Sequence, residues 1–337
     1  MANATLTEVP ARGPRFALVD LVRGLAIIGV VIYHFAWDLD YFRYLAVDVA
    51  SDPLWRGFAR LLAGTFLALV GVSLALAHRR GFRKQAFLRR LAILVIAALA
   101  VTVATWLAFP ENFVFFGILH AIALFSLLAI PFLRAPVWLV ATTGAAILLL
   151  PLWVALPAFD SRWLAWIGMV ATVPATNDYV PVFPWFGVTL IGLALARLAL
   201  DTAVEERAAG WRPRLALSRG LVRTGRWTLV IYLLHQPVLL GILYPVSLVV
   251  PPSREAERAP FVGSCARTCV ASGGEAAICE RACGCSADAF AEQDLWSLLR
   301  RSDLTDDEQR RIGEITRGCY AEAVRASEGS DFDSGAD

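Results

Sequence analysis

Seven stretches of this chain approach the length of about twenty apolar residues needed to cross a hydrocarbon core. They cover roughly residues 16–39, 54–77, 91–109, 114–133, 137–156, 183–200 and 227–250. Backbone groups in lipid need partners within their own segment, and helices supply them. The expected fold class is therefore all-α, a polytopic membrane helix bundle of about seven spans. Composition excludes an ordinary soluble domain: 58% of the 337 residues are hydrophobic and 18% charged, against roughly 45–50% and 25% in soluble proteins.

The formal net charge of +2 conceals two different objects. Residues 251–337 hold ten Arg against seventeen Asp and Glu, a net of −7, whereas the rest carries 21 basic and 12 acidic residues, a net of +9. All six cysteines fall in the acidic part. The expected organisation is a cytoplasmic segment at 1–14, a membrane domain at 15–251, a small cysteine-rich extracytoplasmic helical domain at 252–326, and a disordered acidic tail at 327–337. The first apolar run is long and polar and lacks a small-residue cleavage site, so it reads as a retained anchor.

Basic connectors orient the bundle. One holds Arg79, Arg80, Arg83, Lys84, Arg89 and Arg90, and another Arg207, Arg212, Arg214, Arg219, Arg223 and Arg226. The alternating connectors hold Asp40, Asp48 and Asp52, then Glu111, then Asp160 and Asp178. The first set is expected in the cytoplasm, with the N-terminus, and the tail domain on the extracytoplasmic side. Clustered thiols fit that oxidising side. The stretch 158–173 reads as an interfacial helix with Trp163 and Trp166 at headgroup level.

Asp20, Arg23, His34 and Asp38 interrupt the first span. At about 100° per residue they fall within an arc of roughly 60°, one polar stripe. Each ionisable group costs about 2.5–3.5 kcal/mol on insertion scales, so the stripe must face protein or a wet cavity. Asp38 lies one turn beyond His34 and can orient its ring as a general base; a helix-gluing hydrogen bond is the alternative. Asp20 and Arg23 read as an ion pair, as a fork for a phosphate or acyl carbonyl, or as both.

His120 in the fourth span and His235 two residues before Pro237 in the seventh are further intramembrane candidates; His235 could instead satisfy a carbonyl freed by the proline. His78 reads as interfacial. Gly64, Gly71 and Ser73 on the second span read as close-packing residues and not as chemistry; Arg56 and Arg60 read as snorkelling. Trp185, Phe186, Trp163 and Tyr179 gather near the outer rim, as a sugar-stacking surface or an aromatic belt. No metal motif, phosphate-binding glycine loop or nucleic-acid signature occurs in the membrane body.

In the tail, Cys265, Cys269, Cys279, Cys283, Cys285 and Cys319 suggest a disulfide-stapled helical unit. Pairs at i and i+4 share a helix face and can be cross-linked on a hairpin; of the fifteen pairings that six cysteines allow, the expectation taken is nested Cys265–Cys283 and Cys269–Cys279 with Cys285–Cys319 remaining. Zinc is the alternative, weakened by the absence of a C-x2-C knuckle. Thr305 to Glu308 form a capping box that starts a helix to about Ala326.

The strings DLVRGLAIIGVVIYHFAWDLDYF, GTFLALVGVSL, FFGILHAIAL, NDYVPVFPWFGVTLIGLALAR and GRWTLVIYLLHQPVL, in that order, resemble the heparan-alpha-glucosaminide N-acetyltransferase catalytic-domain family in its short bacterial branch. The likeness covers about residues 15–251 and extends to the wider transmembrane acyltransferase superfamily. It implies acyl transfer across the membrane, from cytoplasmic acyl-CoA (acetyl-CoA) as co-substrate to an outer sugar or glycan. No tightly bound cofactor is expected, and a homodimer is allowed for. His34 matches by its position in the D-x-x-R-G…H motif, and Asp38, His120, Asp178 and Trp185 fall in other family strings. With the residue reading, this makes His34 and Asp38 catalytic. Asp20, Arg23, His120 and His235 would assist the donor, and Asp178, Tyr179 and Trp185 would hold the acceptor. The rivals are a proton-coupled transporter and a non-catalytic scaffold displaying the disulfide domain.

Overall fold

The computed structural model describes residues 16–79, 81–250, 254–299 and 303–333. The expected segment 1–14, Arg80 and the last four residues lie outside that set. Among the described residues every regular element is helical, and the one β-type pairing is an isolated bridge between Phe116 and Tyr179.

Five helices are long and apolar enough to cross a membrane: α1 (Ala17–Tyr41), α2 (Pro53–His78), α3 (Lys84–Ala108), α6 (Val182–Ala199) and α9 (Thr228–Val249). The fourth and fifth apolar stretches form shorter helices, α4 (Ile118–Leu128) and α5 (Val137–Leu149). Eleven residues extend only about 16 Å, roughly half a hydrocarbon core. Hydropathy overstates α4 because residues 113–117 are not helical. The segment 112–116 pairs along 177–180, through Asn177 N–H to Asn112 O at 2.8 Å and Val180 N–H to Phe116 O at 3.1 Å. Prolines at 131, 136 and 151 then punctuate the chain around α5.

The interfacial helix expected at 158–173 is absent. Single 3-10 turns form at Pro157–Phe159 and Ala165–Ile167, and Gly168 takes a left-handed φ of 99°. Asp160 Oδ1 accepts the Ala171 and Thr172 N–H groups at 2.7 and 3.1 Å. These bonds, eleven and twelve residues along the chain, close the segment into a loop.

The chain divides into two compact units. One comprises the chain up to Val31 together with Gly57–His235. Its core joins Leu67, Val70 and Leu74 of α2, Phe125 of α4, Val140 of α5 and Leu190 and Leu193 of α6. At the α2–α6 crossing a β-carbon on Gly71 would collide with Thr189 O, and one on Gly192 with Ala68 O. The small residues there let the backbones touch. Two short helices, α7 (Ala203–Gly210) and α8 (Ala216–Arg226), precede α9.

The other unit comprises Ile32–Arg56 and Gln236–Asp337. It contains α10 (Arg254–Ala271), α11 (Ala276–Glu292), α12 (Trp296–Leu299) and α13 (Asp306–Asp333). Cys265–Cys283 and Cys269–Cys279 staple α10 to α11, and Cys285–Cys319 staples α11 to α13. Phe261, Phe290 and Trp296 pack edge to face between them, and Arg258 bonds Asp288 at 2.7 Å. Thr305 and Glu308 exchange capping bonds: Thr305 N–H donates to Glu308 Oε2 at 2.8 Å, and Glu308 N–H to Thr305 Oγ1 at 3.3 Å. From that cap α13 runs past Ala326 to Asp333.

Within the same unit the stapled helices are tied to the α1–α2 connector. Arg267 Nη2 of α10 donates to Asp48 Oδ2 at 3.3 Å; the end of α9 is tied to the same connector by Tyr44 Oη, which donates to Val250 O at 2.6 Å. Asp40 secures the connector from inside by accepting the Val49 N–H at 2.9 Å.

Candidate functional site

The polar residues of α1 are buried at both ends of the helix: Asp20 is 2% exposed and Asp38 0%. Arg23 and His34 are half-buried. The stripe that the 100° period draws therefore turns away from solvent, as the cost of intramembrane charge requires.

In the first unit, Asp20 is the anion of a small network. Arg23 Nη1 donates to Asp20 Oδ1 at 3.3 Å, and Arg226 Nε lies 3.5 Å from Asp20 Oδ2. Arg23 Nη2 also donates to Ser73 Oγ at 2.5 Å. Ser73 directs its own single proton to Leu69 O, leaving a lone pair for the guanidinium. Ser73 is thus a polar partner of Arg23, in contrast to its expected role as a packing residue. The helices meet closely here, because a β-carbon on Gly24 would strike Leu221 O and one on Gly225 would strike Asp20 O.

His120 is engaged at both ring nitrogens. Nδ1 accepts the Gly117 N–H at 3.3 Å, and Nε2 lies 3.1 Å from Thr102 Oγ1. The Thr102 proton is committed to Val114 O at 2.8 Å, so Nε2 carries the hydrogen and donates. These contacts define a neutral ring that closes the start of α4. Asp178, expected to bind the acceptor, reaches the same helix start: its Oδ2 accepts the Ile118 N–H at 2.7 Å. A carboxylate there also complements the helix dipole. Burial pushes the Asp178 carboxyl up to about 6, with the Ile118 bond opposing.

Tyr179 donates its hydroxyl to Ala165 O at 2.6 Å. Burial, followed by the Asp160 charge, lifts its phenol to about 12. Trp185 packs half-buried against the α2–α4–α6 core. His235 is 9% exposed, and its Nδ1 faces Tyr232 O at 2.7 Å. A carbonyl only accepts, so Nδ1 carries the proton and Nε2 holds the lone pair. His78 bonds Leu74 O through Nδ1 at 3.0 Å and stacks on Phe82.

In the second unit, the ring of His34 meets Tyr33 edge to face, centroids 5.5 Å apart. Asp38 does not orient it. Gln236 Nε2 donates to Asp38 Oδ1 at 2.5 Å, while Asp38 Oδ2 and Gln236 Oε1 are buried with no hydrogen-bond partner among the described residues. An i+4 relation allows a His–Asp bond but does not require it, and a side-chain amide 198 residues away takes the carboxylate instead. Gln236, Ser73 and Thr102 were missed because an uncharged polar side chain among apolar neighbours carries no charge signal. Only the position of Gln236 inside YLLHQP could have drawn attention to it. Among the described residues no group of three or more His, Cys, Asp or Glu could hold a metal ion.

No match is found among curated proteins or solved structures. A family model described as "Heparan-alpha-glucosaminide N-acetyltransferase, catalytic" matches residues 15–237. That range carries Asp20, Arg23, His34, Asp38, His120, Asp178, His235 and Gln236, and it ends at Pro237, short of the disulfide-stapled helices. The chain belongs to the heparan-alpha-glucosaminide N-acetyltransferase catalytic-domain family, a family of membrane acetyltransferases.

Proposed function

We propose that the chain transfers an acyl group, most simply acetyl, from cytoplasmic acyl-CoA to a sugar or glycan on the outer side of a bacterial inner membrane. The observation that carries this is the burial of two carboxylates, Asp20 and Asp38, on one span of a chain belonging to an acetyltransferase family. Intramembrane ionisable groups mark function by default.

Orientation follows from redox chemistry and charge together. Disulfides persist in oxidising compartments, and the stapled helices are bonded to the α1–α2 connector through Arg267 and Asp48. The His34–Asp38 end of α1 then belongs to the outer side, and the Arg23 end to the inner side with the basic connectors. In this reading α4 and α5 complete the crossings as shortened, partly interfacial helices.

His34 takes the proton of the acceptor hydroxyl or amine as that atom attacks the thioester carbonyl. The C–S bond then breaks, and the departing thiolate takes the proton back from the imidazolium. Asp38 and Gln236 present oxygens that accept hydrogen bonds from the acceptor. Arg23 holds a phosphate of the donor.

Purified full-length protein in detergent, radiolabelled acetyl-CoA and a panel of amino sugars and neutral sugars test this. Label should appear on a sugar in the wild type and be lost in His34→Ala with the melting temperature retained. Proton-dependent solute flux by the reconstituted protein without any acyl transfer would overturn the reading.

A further inference from the structure

The face of α8 carries a cation excess that the network around Asp20 does not absorb. Arg219, Arg223 and Arg226 recur at i, i+4 and i+7, one face of the helix, and line a cavity of about 380 Å³ with Pro213, Val222 and Trp227. Arg226 is held by Asp20 at 3.5 Å. Arg219 and Arg223 are exposed and have no carboxylate partner among the described residues. The row is rigidly mounted, since Val222 is 4% exposed and Gly225 meets the α1 backbone at Asp20. Leu215 and Leu217 at the start of α8 and Trp227 just past its end are 73%, 74% and 57% exposed. This is the arrangement of an amphipathic interfacial helix leading into the span α9.

Guanidinium groups recognise tetrahedral oxyanions in a bidentate manner, and uncompensated ones on a fixed face favour an anion of more than one charge. We propose that the α8 cavity is a binding site for a phosphate-bearing anion. Two sources share that chemistry: the phosphorylated end of the acyl-CoA donor, and the headgroup of an anionic phospholipid in the adjoining leaflet. The donor source rests on the acyl-CoA reading above, and the lipid source does not.

The test uses the full-length protein in detergent and reads binding without turnover. Inorganic pyrophosphate and coenzyme A are titrated calorimetrically, and retention of phosphatidylglycerol against phosphatidylcholine is read by native mass spectrometry. The double variant Arg219→Gln/Arg223→Gln is compared with Arg207→Gln/Arg214→Gln, which removes equal charge from the same connector outside the cavity. The expected result is binding weakened by about tenfold or more in the first and less than about twofold in the second. Coenzyme A binding with that pattern assigns the donor, and selective phosphatidylglycerol retention with that pattern assigns the lipid. Absence of binding by every probe, or equal weakening in both double variants, overturns the site. A catalytically inert protein that still binds in the expected pattern would remove the proposed reaction and leave the site standing.

Discussion

Gln236 reaches across 198 residues of sequence to donate its amide to Asp38 Oδ1 at 2.5 Å. The bond joins the last span to the first within one compact unit, and it redefines Asp38. A carboxylate that would have steered the His34 ring is held by a neutral amide, with its second oxygen left for another donor. Buried acceptors without partners are costly to the fold and useful to a ligand that brings a hydrogen.

Removing the amide should therefore destabilise more than removing the charge. Gln236→Leu leaves a wholly unpartnered buried carboxylate and is expected to cost about 1–3 kcal/mol. Asp38→Asn keeps an acceptor for Gln236 and is expected to cost less. Thermal unfolding of the detergent-solubilised variants, with the double variant closing the cycle, measures the coupling. A coupling near zero would show that the two groups do not depend on each other.

The two arginines on Asp20 should differ in weight. Arg23 lies at 3.3 Å with its side chain 26% exposed, and Arg226 at 3.5 Å with 49% exposed. Losing the partner of a buried charge costs about 3–5 kcal/mol, whereas exposed pairs contribute about 0–1 kcal/mol. Arg23→Ala should lower the melting temperature well below that of Arg226→Ala. Arg23→Gln should recover part of the loss by keeping a donor for Ser73. Equal losses would assign the two arginines the same role.

Asp178 introduces a pH dependence of definite sign. Its carboxyl lies near 6 in the fold against an ordinary 3.8, so between those values the folded protein holds a proton that the unfolded chain has released. The associated stability is fully present below about pH 4, is lost as pH rises to about 6, and is flat above. A rise of that size corresponds to about 3 kcal/mol. Asp178→Asn keeps an acceptor for the Ile118 N–H and cannot titrate. Chemical unfolding of both proteins across pH 4 to 7, under identical salt, should show a steeper loss of stability in the wild type, and equal slopes would remove the assignment to Asp178.

The staples should rank by the loops they close. Cys285–Cys319 spans 34 residues and Cys269–Cys279 spans 10. Loop entropy predicts about 4 kcal/mol for the first and about 3 kcal/mol for the second. Paired Cys→Ser substitutions, followed by thermal unfolding, check the order. Selective reduction should also loosen the α1–α2 connector, because Arg267 bonds Asp48 from α10. Hydrogen exchange at Val49 and Ser51 should then rise, and unchanged protection would mean that Asp40 and Asp48 hold the loop unaided.

Periodicity and hydropathy were enough to locate five long spans and to show that the polar residues of α1 share a buried side, because lipid leaves a helix no other way to satisfy its backbone and its charges. That two cysteine pairs share a helix face was legible from their i and i+4 spacing, whereas the choice of the nested pairing among fifteen was made by the fold. The start of α4, the turns at 157–168 and the partner of Asp38 were not legible. Each depends on a group distant in the chain: Tyr179 beside Phe116, Asp160 beneath Ala171 and Gln236 against Asp38. Hydropathy sums each residue's own preference for lipid, whereas a hydrogen bond needs a specific donor brought within about 3 Å. Only the packed chain supplies that distance.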